Sequence, residues 1–176
     1  KMVHAFEPSP DSFRILCENI EANGLQNVKA INSAVWSDAK TLTLQVPDIE
    51  PIPPDADKLP FNDQFYAYRH FGASAIQEGN KPKHTAVSVP AEPMREIIGW
   101  LDPIDFLKID CEGSEYQILY SLTRKELQRI DRMVIEFHCG WKAGQKLCRF
   151  LRNNGYRIYV PYPGGTHGII FARRRK

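Results

Sequence analysis

Apolar positions along the chain switch repeatedly between a period of two and a period near 3.6, the signatures of strands and of amphipathic helices. Val3-His4-Ala5-Phe6 reads as the end of a strand, and Ser9-Pro10 as the cap and first residue of a helix. Phe13, Leu16, Cys17 and Ile20 recur at helical spacing, with Gly24 placed to end that helix. Val28 to Val35 predicts a strand. Thr41-Leu42-Thr43-Leu44-Gln45-Val46 predicts another, with clear alternation and β-branched residues. Ala86 to Val89 predicts a short strand, followed by a break at Pro90 and a helix over Glu92 to Leu101.

The second half is more regular. Ile104 to Ile109 is an apolar strand interrupted only by Asp105 and Lys108. Tyr116, Ile118, Leu119 and Leu122 predict a helix, and Arg124 to Ile130 a second, capped by Thr123 with Glu126 at the capping-box position. Met133 to His138 is a buried strand, and Ala143 to Asn154 an amphipathic helix stopped by Gly155. Tyr156 to Val160 and Gly168 to Ala172 are strands joined by a turn-rich stretch. Residues 47–83 break this rhythm with six prolines, few aliphatic residues and an aromatic cluster from Phe61 to Phe71. So long a connection inside a compact domain is usually functional or mobile, and a lid-like insertion is expected there, with ordinary packing of a long loop as the alternative.

Strands alternating with helices of about ten residues imply crossover units on a mostly parallel sheet. The expected fold is therefore α/β, a three-layer Rossmann-like sheet ending in an antiparallel hairpin. Composition agrees: 176 residues, 43% apolar and 25% charged, suit one globular domain over 1–176. A net charge of +2 gives no field for nucleic acid, and the basic run Arg173 to Lys176 reads as a solvated tail. No apolar run approaches the roughly 20 residues that span a bilayer, and no secretory signal opens the chain. Four widely spaced cysteines, Cys17, Cys111, Cys139 and Cys148, suggest buried thiols in a reducing, cytoplasmic setting.

In sheets of this kind ligands bind beyond the carboxyl ends of the strands. That rule selects Glu7, Asn32, Ser33, Asp110, Glu112, Glu136 and His138. A carboxylate at a strand end, as at Glu7, can accept two hydrogen bonds from a ribose diol. Asp110, Glu112 and Glu115 crowd three carboxylates into six residues around Gly113, which costs stability unless they are solvated, paired or used. Glu112 and Glu115 fall near a helix start, where the helix dipole softens that cost. His138 ends the next strand, and histidine is the commonest general base near neutral pH. No ligand spacing here demands a metal, so none is expected.

Several segments together resemble the FkbM family of methyltransferases. They are Val3 to Pro10 with Asn19 and Asn23-Gly24-Leu25, then Asn32-Ser33-Ala34-Val35-Trp36-Ser37-Asp38. Lys108-Ile109-Asp110-Cys111-Glu112-Gly113-Ser114-Glu115 is similar to that family's K-[IV]-D-x-E-G-x-E motif, and Ile135-Glu136-Phe137-His138 to its following strand. The resemblance implies the class I methyltransferase fold with S-adenosylmethionine as cofactor, and methyl transfer to a hydroxyl oxygen of a sugar, lipid or other small metabolite. By the same resemblance Glu7 would bind the cofactor's ribose, and Pro8 would lie beside the adenine. Asn32, Ser33 and Ala34 would edge that ring, and Asp110 would face the methionine end. Asp110 or His138 would take the acceptor's proton, with Glu112 close by. Phe71 and Ser74 of the lid-like insertion would approach the acceptor. The family's first strand and glycine-rich loop match nothing in these residues, so a piece of a longer polypeptide is expected. Another class of function competes: a degenerate, non-catalytic binding module of the same fold. A nicotinamide dehydrogenase would need a Gly-x-Gly fingerprint, and no Gly-x-Gly occurs in the sequence.

Overall fold

The computed structural model describes residues 1–47, 75–76, 84–101 and 103–175. The lid-like insertion, with Phe71 and Ser74, lies outside the described residues except for Pro47 and Ala75–Ile76. The chain forms two compact units, one of Lys1–Ala34 with Thr41–Pro90, the other of Val35–Lys40 with Ala91–Lys176.

In the first unit, β1 (Val3–Phe6) and β2 (Val28–Ile31) pair in parallel, Val3 opposite Val28 and Phe6 opposite Ile31. The crossover between them is α1 (Pro10–Ala22). Pro10 takes the first helical position, where its missing N–H costs nothing. Ser9 is the N-cap, but its hydroxyl makes no cap bond; its main-chain N–H instead donates to Glu7 Oε1 at 2.8 Å. Gly24 ends the helix as predicted, at φ +62°. There the Gly24 N–H reaches Glu21 O (2.9 Å) and the Leu25 N–H reaches Ile20 O (3.0 Å), which closes the last turn.

The strand predicted over Val28 to Val35 is in fact two, β2 and β3 (Ala34–Trp36), split at Asn32-Ser33. The Asn32 amide donates to the carbonyls of Glu7 (2.8 Å) and Pro8 (3.2 Å), and Ser33 N–H turns back onto Ile31 O (3.0 Å). Those bonds satisfy local polar groups that a continuous ladder would have had to leave. β4 (Lys40–Pro47) pairs antiparallel with the short β5 (Ala75–Ile76), and β6 (His84–Pro93) lies on the other side of β4. Pro90 therefore does not break the strand. Its carbonyl accepts the Ser33 hydroxyl at 3.1 Å, and the helix waits until after Pro93.

The second unit opens with α2 (Met94–Leu101), whose Met94, Ile97 and Ile98 are buried. The predicted strand Ile104 to Ile109 shortens to β7 (Leu107–Ile109), with Ile104 kept as a lone bridge to Ile130. α3 (Glu115–Tyr120) and α4 (Arg124–Leu127) follow, the latter held by a complete Thr123–Glu126 capping box. β8 (Arg132–Phe137), α5 (Trp141–Asn153), β9 (Tyr156–Tyr159) and β10 (Gly168–Arg174) complete the chain. The strand order is β7-β8-β10-β9, with β7 parallel to β8 and β10 antiparallel to both of its neighbours.

Alternation decides the core of this sheet. Met133, Ile135 and Phe137 of β8 and Ile170 and Ala172 of β10 are buried together with Leu147, Cys148 and Leu151 of α5. Phe137 is seated with particular closeness. A Cβ added at Gly144 or at Gly168 would stand 2.9 or 2.8 Å from its ring, so both positions require glycine. Buried Tyr156 brings its hydroxyl to the carbonyls of Leu127 (2.5 Å) and Ile130 (2.8 Å), and burial raises its pKa. The cysteines are free: Cys148 is buried, Cys17 and Cys111 are half-buried, and Cys139 is exposed. Among the described residues no helix is long and apolar enough to cross a membrane.

Candidate functional site

Two groups of predicted residues assemble, one in each unit. In the first, Glu7 follows β1, half-buried, with Oε1 held by the Ser9 N–H. Oε2 is then the oxygen left for a hydroxyl donor. Burial raises the Glu7 pKa, opposed in part by that N–H. Pro8 and Asn32 adjoin it through the Asn32 amide, which is spent on main-chain carbonyls rather than presented to a ligand. Ser33 is buried with its hydroxyl on Pro90 O, and Ala34 is buried beside it in sequence. A half-buried carboxylate just past a parallel strand fits a ribose diol. In the same unit, a cleft of about 420 Å³ lined by Cys17, Ile20, Leu25 and Val28 contains none of the predicted site residues.

The second group is denser. β7 and β8 run parallel side by side, so the chain leaves both at the same edge. Each exit turns sharply through left-handed backbone, at Glu112 (φ +49°) and Gly113 (φ +103°) after β7, and at Cys139 (φ +63°) and Gly140 (φ +85°) after β8. Left-handed conformations at non-glycine residues are uncommon and cluster at functional positions. The turns bring ligating atoms of Asp110, Glu112 and His138 within 4.8 Å of one another. His138 Nε2 lies 3.6 Å from Glu112 Oε2. Lys108 Nζ holds Asp110 Oδ2 at 3.0 Å, an exposed pair of little energetic weight. Two carboxylates and an imidazole are also a donor set for a hard divalent cation.

In the sequence Glu115 reads as one more acid near a helix start, and the structure gives it more. Its side chain is 0% exposed. Oε1 accepts the His138 main-chain N–H at 2.7 Å and lies 3.0 Å from His138 Nδ1, while Oε2 accepts the Gly113 N–H at 2.8 Å. Tyr116, the next residue, donates its hydroxyl to the His138 carbonyl, and burial raises its pKa. Burial likewise pushes the Cys111 thiol up to about 11, which leaves it protonated and poorly nucleophilic near neutrality. Glu136, on β8, stays outside the trio.

The family model for the methyltransferase FkbM domain matches residues 1–158. The chain belongs to the FkbM methyltransferase family. A curated relative of this FkbM chain, methyltransferase sdnD of Sordaria araneosa, is 25% identical over 143 residues, which is 75% of the chain and 55% of the relative. The chain thus spans about half the length of that relative. Among solved structures, the precorrin-6y C5,15-methyltransferase of Geobacter metallireducens GS-15 is similar at a TM-score of 0.47 and 12% identity, over 99% of this chain and 67% of that one. The Rossmann-like α/β character expected of an FkbM domain is met here by the parallel pairs β1–β2 and β7–β8 and by the antiparallel β10. Within the FkbM motif, Asp110 and Glu112 meet His138 of the following strand at one sheet edge.

Proposed function

We propose that this chain carries out S-adenosylmethionine-dependent methyl transfer to a hydroxyl oxygen of a sugar, lipid or other small metabolite, in the cytoplasm. The observation that carries this reading is the convergence of Asp110, Glu112 and His138 within 4.8 Å, in a chain of a methyltransferase family. When bound, the cofactor supplies a methyl already activated on a sulfonium, which leaves as the neutral thioether. The protein's tasks are to hold, orient and deprotonate. Glu7 holds the ribose hydroxyls, with Pro8 and Asn32 to Ala34 beside the adenine. His138 takes the acceptor's proton at Nε2, since Nδ1 faces the Glu115 carboxylate.

The direct test supplies methyl-labelled S-adenosylmethionine with a panel of hydroxylated sugars, lipids and metabolites. Label on an acceptor oxygen supports the proposal. Cofactor binding without transfer to any acceptor would instead support the non-catalytic module. A chelator probes the other use of the trio. One lone pair on Nε2 cannot both accept a proton and ligate a metal. EDTA is therefore expected to leave transfer unchanged, and a loss restored by magnesium or manganese would reassign the trio as a cation site.

Glu7→Gln is expected to weaken cofactor binding about 10- to 100-fold, the worth of a hydrogen bond to a charged group at about 1.5–3 kcal/mol. Because the ionised carboxylate is the acceptor, affinity holds above the raised Glu7 pKa and is lost as pH falls through it. The sign for folding is opposite: with the folded pKa raised, the stabilising contribution is present below the unfolded value and disappears as pH rises through the folded one. Calorimetric titration at stepped pH should show the wild type converging on the glutamine variant at low pH. Parallel curves at every pH would remove Glu7 from the cofactor site.

A further inference from the structure

We infer that Glu115 is the positioning residue of this site: it fixes the His138 imidazole in the Nδ1–H form and leaves Nε2 as the nitrogen that receives the acceptor's proton, with Glu112 facing the imidazolium so formed. The inference rests on the proposed methyl transfer and adds a residue and a division of labour to it.

The argument starts from burial. A carboxylate at the start of a six-residue helix that served only the helix dipole would gain most of that effect while solvated. Glu115 is instead wholly withdrawn from water, which is costly for a charged group unless its oxygens are bonded. Both oxygens are bonded to main-chain N–H groups, one from each strand exit: Gly113 after β7 and His138 after β8. One side chain thereby ties the two turns that carry Glu112 and His138. Tying two N–H groups through two separate oxygens already suits a carboxylate, since an amide would set its NH2 against one of the donors. A carboxylate adds acceptor capacity and charge at the third contact, 3.0 Å from Nδ1.

That third contact decides the tautomer. Oε1 offers only lone pairs, so a bare Nδ1 would set lone pair against lone pair, whereas Nδ1–H makes a charge-assisted hydrogen bond. With the hydrogen on Nδ1, the neutral ring has its lone pair on Nε2. Nε2 has Glu112 Oε2 at 3.6 Å, beyond hydrogen-bond length, and so keeps its lone pair for another donor. As the acceptor is methylated its O–H bond breaks, an N–H bond forms at Nε2, and the oxygen carries the methyl. The positive charge then on the ring lies between Glu115 at Nδ1 and Glu112 near Nε2, with Asp110 also within 4.8 Å. The Tyr116 hydroxyl also donates to the His138 carbonyl, a contact that holds the main chain rather than the ring.

The test reads the ring directly. Long-range proton–nitrogen spectra of the ¹⁵N-labelled full chain should show neutral His138 with a protonated Nδ1 and a bare Nε2. In E115Q the Nε2–H form should grow and kcat should fall about 10²- to 10⁴-fold, with the KM for cofactor little changed. A merely structural tie would move stability without moving the tautomer. Should E115Q fail to fold, the wild-type spectrum alone decides: Nδ1–H supports the assignment, and Nε2–H overturns it. A folded E115Q with unchanged tautomer and kcat also overturns it. If the chain methylates no acceptor, the proposed function falls, while the spectrum still decides what Glu115 does.

Discussion

Replacing His138 by alanine is expected to lower methyl transfer about 10²- to 10⁴-fold at saturating cofactor, the range that a positioned general base contributes. Cofactor affinity should stay unchanged, because the residues proposed to hold the cofactor are Glu7 and its neighbours. The variant should also fold. The bond that ties this position to Glu115 Oε1 is a main-chain N–H at 2.7 Å, which alanine keeps, and the Gly113 N–H at 2.8 Å is untouched. Glu115 therefore loses its contact with the ring and keeps both main-chain N–H donors. Single-turnover rates with labelled cofactor measure the loss. Retention of more than about a tenth of the wild-type rate would place His138 outside the chemistry, since even weak general-base contributions exceed that.

Much of the fold is legible in the sequence because the signals that mark it are local. The alternation of Thr41 to Val46, the helical spacing of Phe13 to Ile20, Gly24 and the Thr123–Glu126 box each act within a few residues, and each reappears in its predicted place. The order of acid-bearing strand ends was equally legible, and with it the family. What the sequence hides depends on partners far along the chain. The break at Asn32 exists because its amide reaches the carbonyls of residues 24 and 25 positions earlier. Pro90 stays inside β6, its carbonyl serving a hydroxyl 57 residues away. Glu115 looks like any acid in a first helical turn until the β7–β8 register delivers a main-chain N–H and an imidazole from 23 residues later. Periodicity can say which face a residue shares, but it carries no information on which distant donor that face will meet.

Phe137→Ala is expected to cost about 3–5 kcal/mol, the range for deleting a buried phenylalanine ring. Against a domain stability of about 5–15 kcal/mol, that is enough to leave part of the population unfolded at 37 °C. The size follows from how the ring is held. It is fully buried, it packs 5.7 Å from the Trp141 ring, and Gly144 and Gly168 allow α5 and β10 to close directly onto it. Two glycine backbones cannot collapse into the space the ring leaves without dragging a helix and a strand, so the cavity term stays near its upper limit. Function should fall with stability for a separate reason. Phe137 is the last residue of β8, and the chain turns immediately after it to present His138. Enlarging the glycines tests the same packing from the other side. Gly144→Ala should cost about 1–3 kcal/mol by overpacking, and combining it with Phe137→Leu should cost less than the two separately, because the added methyl occupies space the smaller side chain vacates. Thermal melts of the three variants measure this. Strict additivity would mean that the ring and α5 are not in the contact the structure describes.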